Sequence, residues 1–224
     1  MRTKADVVDL SHVAEDASPI LAQDTDEDTA AQRRPGRPGR PRSERVEHAI
    51  IEAALEVFAE SGVEGVRCET VAARAGVGKA TLYRRWPGKE DLLIAALAAT
   101  KSPFPEPRGE SVRDDLITML EVMVHDFGDP RFARHIELLH GEGSRYPRLM
   151  QRYKETVVEP RRDMFRSLLR RGAETGELRA DIDVELAMLA LTGSVLARDK
   201  GCATKAGSDF AARVVDQVLR GLAS

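Results

Sequence analysis

The chain has 224 residues, of which 42% are hydrophobic and 4% aromatic, and its formal net charge is −3. This length allows one large or two small domains, and the abundance of alanine and leucine favours helices over sheets. Cys68 and Cys202 are the only cysteines, which excludes a disulfide framework and a cysteine-based zinc site, so we expect a protein of the reducing cytoplasm. The N-terminus lacks the apolar core of a signal peptide, and no apolar run could span a bilayer, so we expect no membrane partner.

The first 43 residues divide by charge into an acidic tail and a basic arm. Residues 1–32 lack hydrophobic periodicity and are rich in aspartate, which is typical of disorder. Residues 33–42 read RRPGRPGRPR, and prolines and glycines at this density favour an extended backbone. Two Gly-Arg-Pro units in this arm resemble the core of AT-hook peptides, whose arginines, here Arg37 and Arg40, enter a narrow A·T minor groove. A flexible cationic spacer that raises only non-specific affinity is the alternative.

Four short helices are predicted after the arm, with bounds near 43–61, 68–75, 79–86 and 89–97. Gly76 lies between the second and third, where it can take the left-handed conformation that ends a helix. Leu82 and Trp86 lie four residues apart in the third helix, so both face the core and the opposite face is basic. Two short helices joined by a tight turn, with a cationic second helix, are typical of a helix-turn-helix that reads the major groove of DNA.

The sequence across this turn, AGVGKATLY at residues 75–83, resembles the DNA-binding domain of the TetR family of bacterial transcriptional regulators. Arg84, Trp86 and Lys89 continue the motif, and the specific resemblance spans about residues 45–97. The resemblance implies an all-α protein of about nine helices. It would have an N-terminal homeodomain-like three-helix helix-turn-helix domain and a C-terminal helical ligand-binding and dimerisation domain.

Three segments follow from this resemblance. We predict a disordered acidic tail and basic arm at 1–43, a DNA-binding domain at 44–104 with its motif at 67–86, and a ligand-binding and dimerisation domain at 105–224. The chain departs from the family at the helix caps, where serine or threonine is common and this chain has Arg67, Gly78 and Gly88. The side chain at the first of these caps could instead reach DNA.

The residue types on the third helix suit both phosphates and base edges. Lys79, at the start of that helix, suits a phosphate, and the resemblance gives the same role to the Tyr83 hydroxyl and to Lys89. The methyl groups of Ala80 and Thr81 could meet a thymine methyl, and Arg84 could pair with guanine or hold a phosphate, while Arg85 is expected to be solvated. The predicted DNA-binding residues are Arg37, Arg40, Arg67, Lys79, Ala80, Thr81, Tyr83, Arg84 and Lys89.

Five further helices are predicted after a linker with three prolines at 101–109. Ser111 and Asp114 have the spacing of a capping box at the start of the first of them. Pro160 predicts a kink in the longest, because its ring cannot continue the hydrogen-bond ladder. The predicted bounds are near 112–127, 130–140, 147–174, 184–197 and 208–222.

The last two predicted helices are expected to form a dimer interface. The first of them is apolar on almost all sides, so it needs a cover on two sides, and the second carries an apolar stripe. The resemblance implies a four-helix bundle from two subunits, and a symmetric operator requires two-fold protein symmetry. Two ordinary core helices of a monomer are the alternative. The predicted interface residues are Met188, Leu191, Val195, Phe210, Val214 and Val218.

The resemblance also implies a pocket in the C-terminal domain, where a small molecule shifts the spacing of the two DNA-reading helices. Side chains of the types that would line it, at helical spacing, more often belong to plain core. The histidines His125, His135 and His140 do not have the spacing of a metal site, so we expect no metal and no other cofactor. The predicted pocket residues are Met119, Met123, Phe127, Phe132, His135, Leu139, Met150, Tyr153, Met164 and Phe165.

Together these features predict a sequence-specific DNA-binding transcriptional regulator. We expect a homodimeric repressor that a small-molecule effector releases from a palindromic operator on double-stranded DNA. A regulator without an effector, or an activator, is the alternative, and a helical protein-interaction module or an enzyme is the remaining class. The sequence has no glycine-rich phosphate loop, metal-ligand cluster or nucleophile elbow, so we expect no catalytic residues.

Overall fold

A computed structural model describes residues 40–201 and 207–221 of the chain. These residues form ten α-helices and one π-helical turn, with no strand among them. The π-helical turn, Lys154–Val158, joins α7 to α8 without a break, so the described chain contains nine helical rods and the all-α prediction is confirmed. The helices are α1 Arg40–Gly65, α2 Cys68–Arg74, α3 Lys79–Tyr83, α4 Lys89–Ala99, α5 Val112–Gly128, α6 Pro130–Glu142, α7 Pro147–Tyr153, α8 Glu159–Thr175, α9 Val184–Gly201 and α10 Phe210–Arg220.

Helix α1 begins earlier than the sequence predicts. Its first residue is Arg40, three positions before Ser43, so the extended backbone predicted through residue 42 is wrong for the last three residues of the arm. Pro41 is accommodated because the first turn of a helix needs no amide hydrogen there. The acidic tail and Arg37 lie outside the described residues.

A break at Gly62 divides α1 where the sequence predicts its end. Gly62 has φ +62° and ψ −166°, a combination that residues with a side chain rarely adopt. The next amide, that of Val63, donates to the Glu142 carboxylate at the end of α6 at 2.7 Å. A side chain from another part of the chain therefore satisfies an amide that the break in α1 leaves without a helical partner.

Two predicted helices differ from the structure in their details. Helix α3 ends at Tyr83 rather than at Trp86, because the residue before Pro87 is restricted to non-helical backbone and the last residues form a turn. The kink predicted at Pro160 takes the form of the π-helical turn that immediately precedes α8. This turn contains Thr156, the residue whose carbonyl the proline ring would meet in a regular helix.

Two buried hydrophobic clusters hold the helices together. The first core combines α1–α4 with α6 and α7, and includes Phe58, Leu97, Phe132 and Leu149. The second core combines α5, α8, α9 and α10 around the fully buried Leu169. Because the first core includes residues on both sides of the predicted boundary at residue 104, helices α1–α4 bury part of their apolar surface against α6 and α7. The division at residue 104 stays a prediction.

We expect Gly62→Ala to destabilise the fold. The backbone of Gly62 lies in a region almost restricted to glycine, so an alanine there costs about 1–3 kcal/mol. Its Cβ would also lie 2.1 Å from Glu142 Oε1, so the carboxylate that accepts from Val63 must move. Urea denaturation of both proteins would measure the loss. The matched control is Gly128→Ala, where the added Cβ meets nothing within 4 Å, and an equal loss in both variants would contradict this account.

Candidate nucleic-acid interface

Helices α2 and α3 meet at a tight glycine turn. Gly76 has φ +66°, and the amides of Gly76 and Val77 donate to the carbonyls of Ala73 and Ala72 at 3.2 and 3.0 Å. These bonds satisfy the last carbonyls of α2, as in the usual glycine termination of a helix. Only four residues therefore separate the end of α2 from the start of α3.

Two apolar anchors determine which side of α3 faces outward. Leu82 is fully buried and Trp86 is 8% exposed, and both belong to the first core. The opposite side carries five of the predicted DNA-binding residues within six positions of the chain. Four of these are exposed and the threonine is half-buried: Lys79, Ala80, Thr81, Tyr83 and Arg84.

Sequence reasoning missed an acidic residue on this surface. The Tyr83 hydroxyl donates to Glu69 Oε1 at 3.1 Å, and Lys79 Nζ lies 3.8 Å from the same oxygen. The amide of Glu69 itself, the tyrosine hydroxyl and the lysine charge hold the pKa of Glu69 below its usual value. The only sequence signal was an acidic residue in the first turn of α2, a common position for a carboxylate at a helix N-terminus.

Arg74, at the end of α2, and Arg85, after α3, both bind side chains of α1. Arg85, which we expected to be solvated, donates to the Glu47 carboxylate and to the Ser43 hydroxyl, so this prediction is wrong. Arg74 makes a two-pronged ion pair with Glu60 at 2.8 and 2.7 Å. Both guanidinium groups thereby connect the helix-turn-helix to the first helix, and the planar fork of arginine suits this geometry.

The remaining predicted DNA-binding residues surround α3 at different distances along the chain. Arg84 has no ion-pair partner in the part of the chain that the structure describes, and Arg67 is exposed directly before α2. Lys89 is exposed at the start of α4, with Nζ 5.9 Å from the centre of the Tyr146 ring. Arg40 occupies the first turn of α1, so it is not part of an extended Gly-Arg-Pro unit.

A second candidate site is a cavity of about 140 Å³ that five helices, α5 to α9, the π-helical turn and Lys101 after α4 surround. Four of the ten predicted pocket residues line it: Met123, Phe127, Tyr153 and Phe165. The sequence analysis missed eight lining residues, several of them polar, because helical spacing identifies an apolar face but not which polar side chains bend inward. These are Lys101, Ile136, His140, Val158, Arg161, Arg162, Thr192 and Leu196.

The other six predicted pocket residues do not line this cavity. They fill or flank the two cores instead, because their helix faces point toward neighbouring helices rather than toward the gap between them. His135, for example, is buried 6.1 Å from the Phe58 ring, and burial lowers its pKa. Met119 and Met164 belong with the second core, and Phe132, His135, Leu139 and Met150 belong with the first or are buried beside it.

The predicted interface residues on α9 face the subunit's own core. Met188, Leu191 and Val195 are at most 3% exposed and pack in the second core, so they are not available to a partner subunit. The interface residues predicted on α10 are only partly buried: Phe210, Val214 and Val218. Helix α9 instead exposes Leu186 and Leu189, at 64% and 48%. The sequence predicts α9 and its apolar spacing, but that spacing does not specify which side of the helix the core covers.

The described residues form neither a metal site nor a membrane-spanning helix. No group of three or more histidine, cysteine, aspartate or glutamate side chains in residues 40–201 and 207–221 could hold a metal ion. No helix in the same ranges is long and apolar enough to cross a membrane.

Comparison with known families identifies both halves of the chain. Residues 50–96 match the model of the bacterial regulatory proteins of the tetR family, and residues 106–218 match the tetracyclin repressor-like C-terminal domain. The first match contains the whole helix-turn-helix and most of α4. The second contains all the lining residues of the cavity except Lys101.

Individual relatives agree with these matches. The chain is 31% identical to the uncharacterized HTH-type transcriptional regulator YdeS of Bacillus subtilis (strain 168), over 70% of this chain and 79% of that protein. It is 27% identical to the DNA-binding transcriptional repressor TetR of Mycobacteroides abscessus, over 65% of this chain and 77% of that protein. The crystal structure of the TetR family transcription regulator SCO0332 superimposes with a TM-score of 0.59 and 27% identity, over 80% of this chain and 100% of that one.

Proposed function

Because the chain belongs to the TetR family of bacterial regulatory proteins, we propose that it is a homodimeric repressor that a small molecule releases from a palindromic operator. The observation that carries this proposal is the exposed basic side of α3, which Leu82 and Trp86 anchor from behind. We infer that the protein acts on DNA in the cytoplasm and has no catalytic role. The relatives with an assigned role that we compared are transcriptional regulators, in agreement with this inference.

The side chains on α3 and α4 divide between phosphate contacts and base contacts. Lys79, Tyr83 and Lys89 would hold phosphates, which position the helix in the major groove without reading sequence. Ala80 and Arg84 would face base edges, where a methyl group suits thymine and a guanidinium suits guanine. Arg84 suits this role because no ion pair with a described residue has to break before it turns toward a base.

Glu69 would compete with DNA for two of the phosphate contacts. In the free protein its carboxylate accepts from Tyr83 and lies beside Lys79, and near DNA it would be repelled by the phosphates. The Lys79 ammonium and the Tyr83 hydroxyl must then leave the Glu69 carboxylate and bind phosphate oxygens instead. We infer that Glu69 keeps the affinity for arbitrary DNA low and holds the two side chains in place in the free protein.

The partner subunit would cover the exposed side of α9. Leu186 and Leu189 lie on one face of this helix together with Ala190, Gly193 and Ala197, a spacing of three and four residues that makes a continuous stripe. Small residues at its centre allow a second helix to approach closely. The half-buried stripe of α10 would complete a four-helix bundle with the same helices of the second copy.

We expect Tyr83→Phe and Lys89→Ala to weaken binding to all DNA sequences alike. Each loses a phosphate contact, and the lysine change also lowers the salt slope by about one, because one fewer counterion is released. Fluorescence anisotropy with the DNA upstream of the protein's own gene, at several salt concentrations, would measure both effects. An unchanged affinity would contradict the assigned roles.

We expect Glu69→Gln to strengthen DNA binding, by about threefold to tenfold at low salt, since one repulsive charge leaves the surface. The same titration with specific and unrelated DNA would show a gain for both. The matched control is Glu121→Gln, which removes the same charge from an exposed position on α5. Equal gains in the two variants would mean that net charge alone, rather than the contact with Tyr83 and Lys79, explains the effect.

We expect Leu189→Glu to convert the dimer into monomers, because a carboxylate would be buried without a partner in the bundle. Light scattering during size-exclusion chromatography would measure the mass, and DNA affinity should fall with it. The control is Thr118→Glu, on an exposed position of α5. A monomeric wild-type protein, or a variant that stays dimeric, would rule out this interface.

A further inference from the structure

The cavity described above has a charged end and an apolar body. Lys101 and Arg161 form its charged end, since Arg161 donates to the carbonyl of Ser102, the residue after Lys101. Arg162 and the polar side chains His140, Tyr153 and Thr192 also line the cavity. The remaining walls are aliphatic and aromatic, contributed by α5, α6, α8, α9 and the π-helical turn. A site with this division suits a ligand that is apolar over most of its surface and carries charge at one end.

The cations at this end exceed the carboxylates that pair with them. Asp126 Oδ2 lies 3.5 Å from the guanidinium of Arg161, and Glu159 pairs with Arg162 at 3.0 Å but is shared with Arg166. Lys101 has no carboxylate within 4 Å of its Nζ among the described residues. Three positive charges therefore face the cavity against two negative ones, which leaves one positive charge without a counterion.

Lys101 carries this excess charge in an apolar environment. Its Nζ lies 4.7 Å from the centre of the Phe132 ring and 6.0 Å from that of Phe127, so aromatic faces take the place of an anion. Burial, and to a lesser degree the charge of Arg161, lower the pKa of Lys101 to about 8, against the opposing effect of Asp126. A partly buried cation in apolar surroundings is stabilised by an anion that enters beside it.

Arg161 is already oriented for a second contact. Its guanidinium lies 3.8 Å from the centre of the Phe104 ring, and one of its nitrogens donates to the carbonyl of Ser102 at 2.7 Å. The side chain is therefore held before any ligand binds, and its position next to Lys101 brings two donors to one end of the cavity. Two cationic donors in a fixed arrangement match the two oxygens of a carboxylate.

We propose that the effector is a monocarboxylic acid, with its carboxylate between Lys101 and Arg161 and its apolar body against Met123, Phe127, Phe165 and Leu196. This proposal rests on the proposed function, since it names the ligand of the same pocket. One uncompensated charge matches one carboxylate rather than a phosphate, which carries more charge. The volume of about 140 Å³ is close to the roughly 150 Å³ of a cavity that binds benzene, so the body has the size of one ring or a short acyl chain.

The test compares acids with their amides, which have nearly the same shape without the charge. Calorimetric titration of the full chain would use benzoate, phenylacetate, hexanoate and octanoate, each beside its amide. We expect at least one acid to bind about tenfold or more tightly than its amide at pH 7, because a hydrogen bond to a charged group is lost in the amide. If no acid binds, or if each amide binds as tightly as its acid, the proposal is overturned.

Two variants test whether Lys101 causes the preference for an acid over its amide. We expect Lys101→Met, which keeps the length and apolar stem, to abolish the preference for acid over amide. Arg134→Met is the matched control, since Arg134 is an exposed cation on α6 and does not line the cavity. A preference that survives in Lys101→Met would overturn the proposal. If that variant does not fold, the comparison in the wild-type protein and its pH profile decide the matter.

The pH profile follows from the charge of Lys101. A carboxylate needs the protonated ammonium, so the affinity for the acid should fall as pH rises from 7 through 8 to 9, while the affinity for the amide stays constant. Asp126, His140, Tyr153, Arg161 and Arg162 also face the site or its charges. A flat acid profile would contradict the role of Lys101.

DNA binding separates this inference from the proposed function. If an acid binds but the affinity for operator DNA does not change, the assignment of the cavity stands and the release mechanism fails. If the protein binds its DNA and none of the acids, the inference fails and the DNA-binding role stands.

Discussion

The hydrophobic packing of α6 and α7 against α1 and α4 is the interaction on which the rest of the structure depends. It makes the helix-turn-helix part of a larger core instead of a separate head on a linker. Ile136 and Tyr153 belong to this core and also line the cavity. A molecule in the cavity would therefore touch the same residues that support the DNA-reading helix, and close packing transmits such a change because interiors have little free volume.

Polar contacts between these helices help to specify how they pack, but most of them contribute little to the free energy of folding. Arg131 pairs with Glu52 at 3.0 Å, and the Tyr146 hydroxyl donates to Glu64 at 2.7 Å. Both pairs are exposed, so water and salt screen them and each contributes little to stability. The bond from the Val63 amide to Glu142 differs, because it is partly buried and satisfies backbone that the left-handed break exposes. It connects the end of α6, two residues after the cavity-lining His140, to the junction of α1 and α2.

Much of the DNA-reading surface could be predicted from local sequence because its parts are close neighbours in the chain. The glycine turn, the spacing of Leu82 and Trp86 and the basic residues between them all lie within about a dozen positions. The cavity could be predicted only in part. Lys101 and Arg161 are sixty residues apart and reach the same end of it, while Phe132 and Leu139 have the same helical spacing as true lining residues and are buried in the first core.

The sequence by itself determined the helical class, the order and approximate bounds of the helices, and the side of α3 that faces outward. Each of these depends on propensity and spacing over a few residues. Only the tertiary structure decided which side of α9 stays exposed, that Glu69 faces Tyr83, and that the half-buried Lys101 has no carboxylate within 4 Å among the residues described. Those features depend on how distant helices rotate against each other, and an apolar or charged pattern along one helix does not specify what packs upon it.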